Sequence, residues 1–240
     1  IRSESDMSTF GFNFKPWRKA NVLADGESIK GYIGEVVDEY KLKDKIHFNH
    51  RVLAANYDSS TKKWHVQIED ANQKTQTWIA NFVLGCTGYY NYDQGFQPDF
   101  PNQEAFKGQL IHPQFWPENL DYAGKKVVII GSGATAITLV PAMAKGGAGH
   151  VTMLQRSPTY IASIPSIDFV YDKTRKFMSE DLAYKFTRAR NIGMQRGIFA
   201  LSKKQPQLVR KLLLKSIEMQ LNGKVDMKHF TPSYNPWDQR

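Results

Sequence analysis

Gly131, Gly133 and Ala136 fall at the spacing G-x-G-x-x-A, directly after the apolar β-branched run Val127, Val128, Ile129, Ile130. Small residues at these three places suit a dinucleotide pyrophosphate. The first permits a tight turn, the second lets the backbone approach the phosphates, and the third lets a helix pack close to the strand. Ser132, Ala134, Thr135, Ile137 and Thr138 complete the turn and open the helix, whose free N–H groups and positive dipole end would face the anion. A second apolar stretch, 150–155, ends in Arg156 and Ser157, where an NAD site usually places a carboxylate for the ribose hydroxyls. A guanidinium and a hydroxyl there suit a 2′-phosphate, which favours NADP over NAD. A glycine triplet alone is a weak signal, because structural turns use glycine too. The strand before it, the helix after it and the basic second strand end together favour the dinucleotide reading.

The elements that must hold this turn follow from periodicity. The run 127–130 reads as a central parallel strand, a helix is expected over Ala134–Lys145, and the spacing to 150–155 is that of a βαβ unit. Upstream, Ile29, Tyr32, Ile33, Val36, Val37 and Tyr40 recur at helical intervals, which predicts a helix over 27–41. Residues 45–57 read as strand, 63–69 and 76–80 as a hairpin about a polar turn at 71–74, and 82–85 as a short buried strand running into Cys86. A proline-punctuated connection covers 93–105, and 159–166 reads as loop.

At 240 residues and 27.4 kDa the chain suits one large or two small domains. Its single cysteine, Cys86, excludes an internal disulfide framework and fits a reducing compartment. No signal peptide is legible and no apolar stretch is long enough to span a bilayer, so a cytoplasmic protein is expected. The net charge of +9 is concentrated in 172–228, where 14 Lys and Arg face 5 Asp and Glu. Leu208, Val209, Leu212, Leu213, Ile217 and Leu221, with Arg210, Lys211 and Lys215 between them, are amphipathic. Two readings compete: a basic helix pair that makes a peripheral membrane or anionic-partner contact, and a helical insertion packed on one face and solvated on the other. The second is favoured, and nucleic acid is not an expected partner, because no aromatic-interleaved RNA motif accompanies the basic residues. The opening Ile1 and the loop-like ending HFTPSYNPWDQR suggest an internal fragment.

Between the upstream elements and the glycine turn lies FKGQLIHPQFWP, residues 106–117, in which Phe106, Gly108, His112, Trp116 and Pro117 match F-x-G-x-x-x-H-x-x-x-W-P at every defined position. This is the fingerprint of type I Baeyer-Villiger monooxygenases. IRSESDM, TFGFNFKPW, CTGYYNYDQG, LQRSPTYI and HFTPSYNPWDQR extend the resemblance over essentially the whole chain, to the ethionamide-activating subgroup of that family. The resemblance implies an α/β fold with a Rossmann-like NADP-binding domain, a helical insertion and part of an FAD-binding domain. It implies FAD and NADPH as cofactors, and reduced flavin that meets O2 to give a C4a-peroxyflavin. That species inserts one oxygen atom into a ketone, or transfers it to the sulfur of a thioether or thioamide.

Position by position, Arg240 in WDQR resembles the family's active-site arginine, a permanent cation suited to stabilising peroxide and oxyanion charge. Glu4 stands where relatives usually carry aspartate, after Arg2 and Ser3, in a loop shared by flavin and NADP. Its extra methylene would displace a carboxylate–arginine contact by about an ångström. Val52 in HRVLAA resembles the residue whose backbone meets the flavin adenine. His112 and Trp116 resemble residues that hold the interdomain linker, and His112 is assigned no acid or base duty. The flavin-binding G-x-G-x-x-G that should precede Ile1 is absent from this sequence, so the isolated chain is expected to hold FAD weakly. The expected organisation is 1–115 for the partial FAD-binding domain and linker, 116–168 for the NADP unit, 169–228 for the helical insertion and 229–240 for a return segment ending in Arg240. Two alternatives stand beside a Baeyer-Villiger enzyme. One is a flavin monooxygenase that oxidises nitrogen or sulfur, against which the Trp116-Pro117 ending argues; the other is a non-catalytic NADP-binding module.

Overall fold

The computed structural model describes residue 3 and residues 5–88 and 90–238. In chain order the elements are α1 (Met7–Phe10), α2 (Gly26–Glu39), β1 (Arg51–Asp58), β2 (Lys63–Glu69), β3 (Thr75–Ala80), β4 (Lys126–Ile130), α3 (Ala134–Lys145), β5 (His150–Leu154), α4 (Phe169–Thr174), α5 (Glu180–Lys204) and α6 (Pro206–Leu221). Short 3-10 turns lie at Lys43–Lys45, Gln103–Ala105, Pro113–Phe115 and Met227–Phe230. The chain forms two compact units, Gly34–Asn119 and the remainder on either side of it.

In the middle unit β1, β2 and β3 make an antiparallel meander in that order. Both tight connections are fixed by an aspartate. The Asp58 carboxylate accepts from the Ser60 N–H (2.9 Å), the Ser60 hydroxyl (2.7 Å) and the Thr61 hydroxyl (2.8 Å). Asp70 accepts from the N–H groups of Asn72 (2.9 Å) and Lys74 (3.0 Å). Lys62 and Gln73 take the positive φ these turns require. The pairing register of β1 slips between Val52 and Ala54, which places a bulge at Leu53.

Two expectations for this unit are corrected. The strand expected over 45–57 starts only at Arg51, because Asn49 sits at φ 55° and a left-handed residue interrupts a ladder. The strand expected at 82–85 does not form, and Phe82 and Leu84 are 87% and 88% exposed. None of the described strands pairs with it, and an apolar run becomes a buried strand only when a neighbour takes its backbone groups and a layer covers its faces.

The other unit joins the N-terminal segment to everything after Asn119. The cause is a set of long-range backbone bonds. Ser3 N donates to Ala24 O (2.7 Å), Met7 N to Val22 O (2.8 Å), Val22 N to Ser166 O (3.0 Å) and Asp168 N to Ala20 O (3.0 Å), so 20–24 is stitched between 3–7 and 166–168. One apolar cluster, Met7, Trp17, Ala24 and Tyr32, lies under the N-terminal segment. A second, Tyr171, Ala183 and Tyr184, joins α4 to α5. Helix α5 starts with Ser179 as N-cap and Glu180 and Asp181 in its first turn, and it ends with Lys203 and Lys204, charges that match the helix dipole at both ends. Pro206 starts α6 and Asn222, at φ 47°, ends it.

Strands β4 and β5 run parallel in the register Lys126↔His150 to Ile130↔Leu154, with α3 as the crossover. The expected helix and second strand are therefore present. The expectation that 127–130 is a central strand is corrected, since β4 pairs with β5 alone among the described residues and Val128 and Ile130 are exposed.

Candidate dinucleotide site

The glycine turn leaves the carboxyl end of β4, where open α/β sheets hold their ligands. Gly131 N donates to Leu154 O at 2.8 Å, which ties the turn to the end of β5. Gly131 has φ 118°, a conformation that an L side chain resists, although a Cβ there would meet no atom within 4 Å. The requirement at this position is therefore conformational, not spatial. Gly133 is the N-cap of α3, extended at φ −75° and ψ −177°, and supplies no side-chain cap. The first N–H groups of α3 are thus left for an external acceptor, the arrangement that favours an anion. Ala134 and Thr135 are exposed and Ala136 is buried, as close packing of helix on strand requires. The Thr138 hydroxyl donates back to Thr135 O (2.9 Å) and Ala134 O (3.2 Å), and Ile137 N donates to Gly133 O at 3.0 Å. These two residues serve the helix itself. Pro141 lies inside α3 and removes one ladder donor in its last turns.

The second half of the site leaves β5. The Ser132 hydroxyl donates to Ser157 O at 3.4 Å, so the glycine turn and the Arg156–Ser157 strand end are neighbours. Arg156 is exposed and makes no ion pair among the described residues. Beyond it the chain is sealed by the return segment. Gln155 Nε2 donates to His229 O (2.9 Å), the Tyr160 hydroxyl to Tyr234 O (2.6 Å), and Arg210 to Tyr234 O (3.0 Å) and Pro232 O (2.5 Å). Burial pushes the Tyr160 hydroxyl above its ordinary pKa, which keeps it a neutral donor. At the opposite end of the βαβ unit a Cβ on Gly149 would lie 2.4 Å from Gly124 O, and one on Gly146 would lie 2.1 Å from the Tyr122 hydroxyl. These glycines allow the loops there to cross in contact, and sequence reading missed both, because nothing local distinguishes them from ordinary turn glycines.

The other expected site residues are dispersed. Ser3 accepts from Ala24 N through its hydroxyl (3.0 Å) and donates to Ala24 O through its N–H, so it anchors the N-terminal loop. Arg2, Glu4 and Arg240 lie outside the described residues. Val52 belongs to the middle unit, 60% exposed in β1 beside the bulge and opposite Ile68.

In the fingerprint segment the small residues are explained by contacts. A Cβ on Gly108 would fall 2.5 Å from Phe106 Cζ, and one on Gly95 would fall 2.4 Å from His112 Cε1. His112 Nδ1 accepts from Gln114 N at 3.3 Å and caps the Pro113–Phe115 turn, while Gln114 Nε2 donates to Asn91 O at 2.6 Å. His112 acts here as a structural histidine. Gly95 is a partner that only the folded packing reveals.

Many cations of the basic segment have internal work. Arg190 pairs with Asp168, Arg188 and Arg210 bind main-chain carbonyls, Lys203 pairs with Asp238, and Arg175 and Lys228 pair with nearby aspartates. This favours the packed-insertion reading of the charge. No helix of the described residues is long and apolar enough to cross a membrane.

A family model described as flavin-binding monooxygenase-like matches residues 3–214. Among curated proteins, the chain is 83% identical over its full length to the probable FAD-binding monooxygenase AlmA of Acinetobacter baylyi, of which it covers 48%. It is 50% identical to the FAD-containing monooxygenase EthA of Mycolicibacterium smegmatis, covering 49% of that protein. The chain thus spans about half the length of the curated relatives it matches. Among solved structures, OTEMO in complex with FAD and NADP superposes with a TM-score of 0.73 at 18% identity, over 100% of this chain and 53% of that one. An oxidised steroid monooxygenase bound to NADP gives 0.72 at 20% identity, over 97% and 51%. At such identities the shared property is the α/β fold, with its Rossmann-type domains.

Proposed function

Since the chain belongs to the flavin-binding monooxygenase-like family, we propose that it carries the NADP(H)-binding half of an FAD- and NADPH-dependent monooxygenase of Baeyer-Villiger type, acting with O2 on a ketone, thioether or thioamide. The observation that carries the nucleotide assignment is the uncapped N-terminus of α3, opened by Gly131 at positive φ and adjoining Arg156, which makes no ion pair among the described residues. These residues fit NADP(H). The N–H groups of Ala134 and Thr135 would take the pyrophosphate, and Arg156 with Ser157 the 2′-phosphate.

For FAD the fit is partial. Among the described residues β4–α3 is the one parallel strand–glycine turn–helix unit, and we assign it to NADP(H). Among the described residues, the resemblance leaves Ser3 and, separately in the other unit, the backbone at Val52 as the positions proposed for flavin. FAD, when bound, would supply O2 activation, with NADPH as its hydride source. The residues of this chain bind, orient and exclude water. The return segment at 229–234 covers the exit of β5, and it leads toward Arg240, whose proposed duty is to stabilise developing negative charge. Ketone insertion is preferred to nitrogen or sulfur oxidation alone on the Trp116-Pro117 ending of the fingerprint. The basic insertion is read as packed structure, with a peripheral membrane contact as the lesser alternative.

The test is calorimetric titration of the chain with NADPH and NADH, for wild type and Arg156→Ala. Loss of one charge-assisted contact, about 1.5–3 kcal/mol, should weaken NADPH binding about 10- to 100-fold and leave NADH nearly unchanged. Equal affinity of wild type for the two nucleotides would refute the 2′-phosphate assignment. NADPH binding without oxygen consumption is the outcome expected of this half on its own, whereas FAD binding with ketone- or sulfide-stimulated NADPH oxidation would show that the chain is an enzyme as it stands.

A further inference from the structure

Arg156 and Ser157 follow the last ladder pair, Ile130↔Leu154, so no strand partner among the described residues fixes their backbone. The glycine turn reaches this strand end from one side, through Gly131 N to Leu154 O (2.8 Å) and the Ser132 hydroxyl to Ser157 O (3.4 Å). The return segment holds both of its flanks. Before Arg156, Gln155 Nε2 donates to His229 O at 2.9 Å. After Ser157, the Tyr234 hydroxyl donates to Pro158 O at 3.3 Å, and the Tyr160 hydroxyl donates to Tyr234 O at 2.6 Å. The two tyrosine rings meet edge to face, with 5.6 Å between centroids. Tyr234 O is the node of this clasp, because Arg210 Nη1 of α6 donates to the same oxygen at 3.0 Å, while Nη2 donates to Pro232 O at 2.5 Å. A carbonyl oxygen has two lone pairs and can hold both donors. Further along, Gln207 Nε2 donates to Asn235 Oδ1 at 3.3 Å and Lys203 pairs with Asp238 at 3.2 Å, so the return segment is fastened to the helical insertion at several points.

We infer that the return segment, anchored by Arg210 on α6, positions the backbone of Arg156 and Ser157 for the 2′-phosphate, with Tyr160, Tyr234 and Arg210 as positioning residues, a role that rests on the assignment of the 2′-phosphate to that strand end. The helical insertion thereby takes part in the choice of nucleotide. A guanidinium bound to one phosphate group depends on geometry, so the backbone that carries it must be fixed. NADH presents a hydroxyl in place of the 2′-phosphate and gains little from that fixing. Loosening the clasp should therefore cost NADPH alone, and by no more than the loss of Arg156 itself, about 10- to 100-fold.

The experiment titrates the complete chain with NADPH and with NADH by calorimetry. Tyr160→Phe keeps the ring contact but loses the hydroxyl, and should raise the Kd for NADPH about threefold. Arg210→Met loses both carbonyl bonds and should raise it about tenfold, and Arg210→Lys should recover part of the loss. None of these should change the Kd for NADH. In an Arg156→Ala background the same substitutions should have no further effect, because the contact they position is gone. Asp168→Asn, which weakens the same unit at α4, should leave the ratio of the two affinities unchanged. Circular dichroism checks that each variant is folded, and Tyr160→Phe decides the outcome if Arg210→Met does not fold. Unchanged NADPH affinity in the folded variants, equal weakening of NADPH and NADH, or an undiminished effect in the Arg156→Ala background would each overturn the positioning role. Equal affinity of the wild type for the two nucleotides would instead remove the 2′-phosphate reading, and the positioning role with it.

Discussion

Replacing Asp168 tests how the unit that carries the glycine turn is held together. Asp168 caps α4, accepting from Tyr171 N at 3.0 Å, and pairs with Arg190 across 22 residues of chain. The two side chains are 13% and 27% exposed, so the pair is largely but not wholly desolvated. Asp168→Ala loses the cap, about 1 kcal/mol. It also strands the guanidinium, about 3–5 kcal/mol for a fully buried pair. Arg190 keeps Asn191 Oδ1 at 3.0 and 2.7 Å and some water, which reduces that second cost to about 2 kcal/mol. The sum, about 3 kcal/mol, corresponds to a fall in Tm of about 6–12 °C for a domain of this size. Asp168→Asn preserves the cap and one neutral hydrogen bond and should lose about half as much. The assay is thermal and urea unfolding followed by circular dichroism at pH 7. Equal losses for Ala and Asn, or an Ala variant within about 0.5 kcal/mol of wild type, would refute this division of the energy.

The same carboxylate predicts a pH dependence. Burial alone would raise its pKa, but the Arg190 hydrogen bond, the Tyr171 N–H and the Arg190 charge together hold it below 3.8. With the folded value below the unfolded one, its stabilisation is present above about pH 4 and is lost as pH falls through the folded value. Urea midpoints between pH 6 and 3 should show that slope, and Asp168→Asn should flatten it. Gly131→Ala meets no atom, so its cost should be backbone strain alone, about 1–3 kcal/mol, with a matching loss of NADPH affinity by calorimetry. Gly149→Ala drives a Cβ to 2.4 Å from a backbone oxygen that cannot rotate away, and should cost about 3 kcal/mol by urea unfolding.

The local half of the site was legible in the sequence. A strand, a glycine-spaced turn and a helix lie within consecutive residues, and β4, α3 and β5 need only period, branching and small-residue spacing to be recognised. Helix α2 and the β2–β3 hairpin were legible for the same reason, an amphipathic period in one and a polar turn in the other. The strand expected at 82–85 failed because Phe82-Val-Leu has the composition of a buried strand, yet burial is a property of neighbours. Asn49 failed differently, since nothing in its type alone requires positive φ.

Taken by itself, the sequence determined the strand, glycine turn and helix of the βαβ unit and the family, because each is written in residue types at short, ordered spacings. Tertiary structure alone decided that Ser3, Val22 and Ser166 share one stitched backbone layer, that His112 rests on Gly95, and that Arg188 serves the carbonyls of α1. The physical reason is distance along the chain. A hydrogen bond or a van der Waals contact between residues separated by 17, 144 or 180 positions leaves no periodic trace in either segment, and it exists only once the layers that carry them have closed.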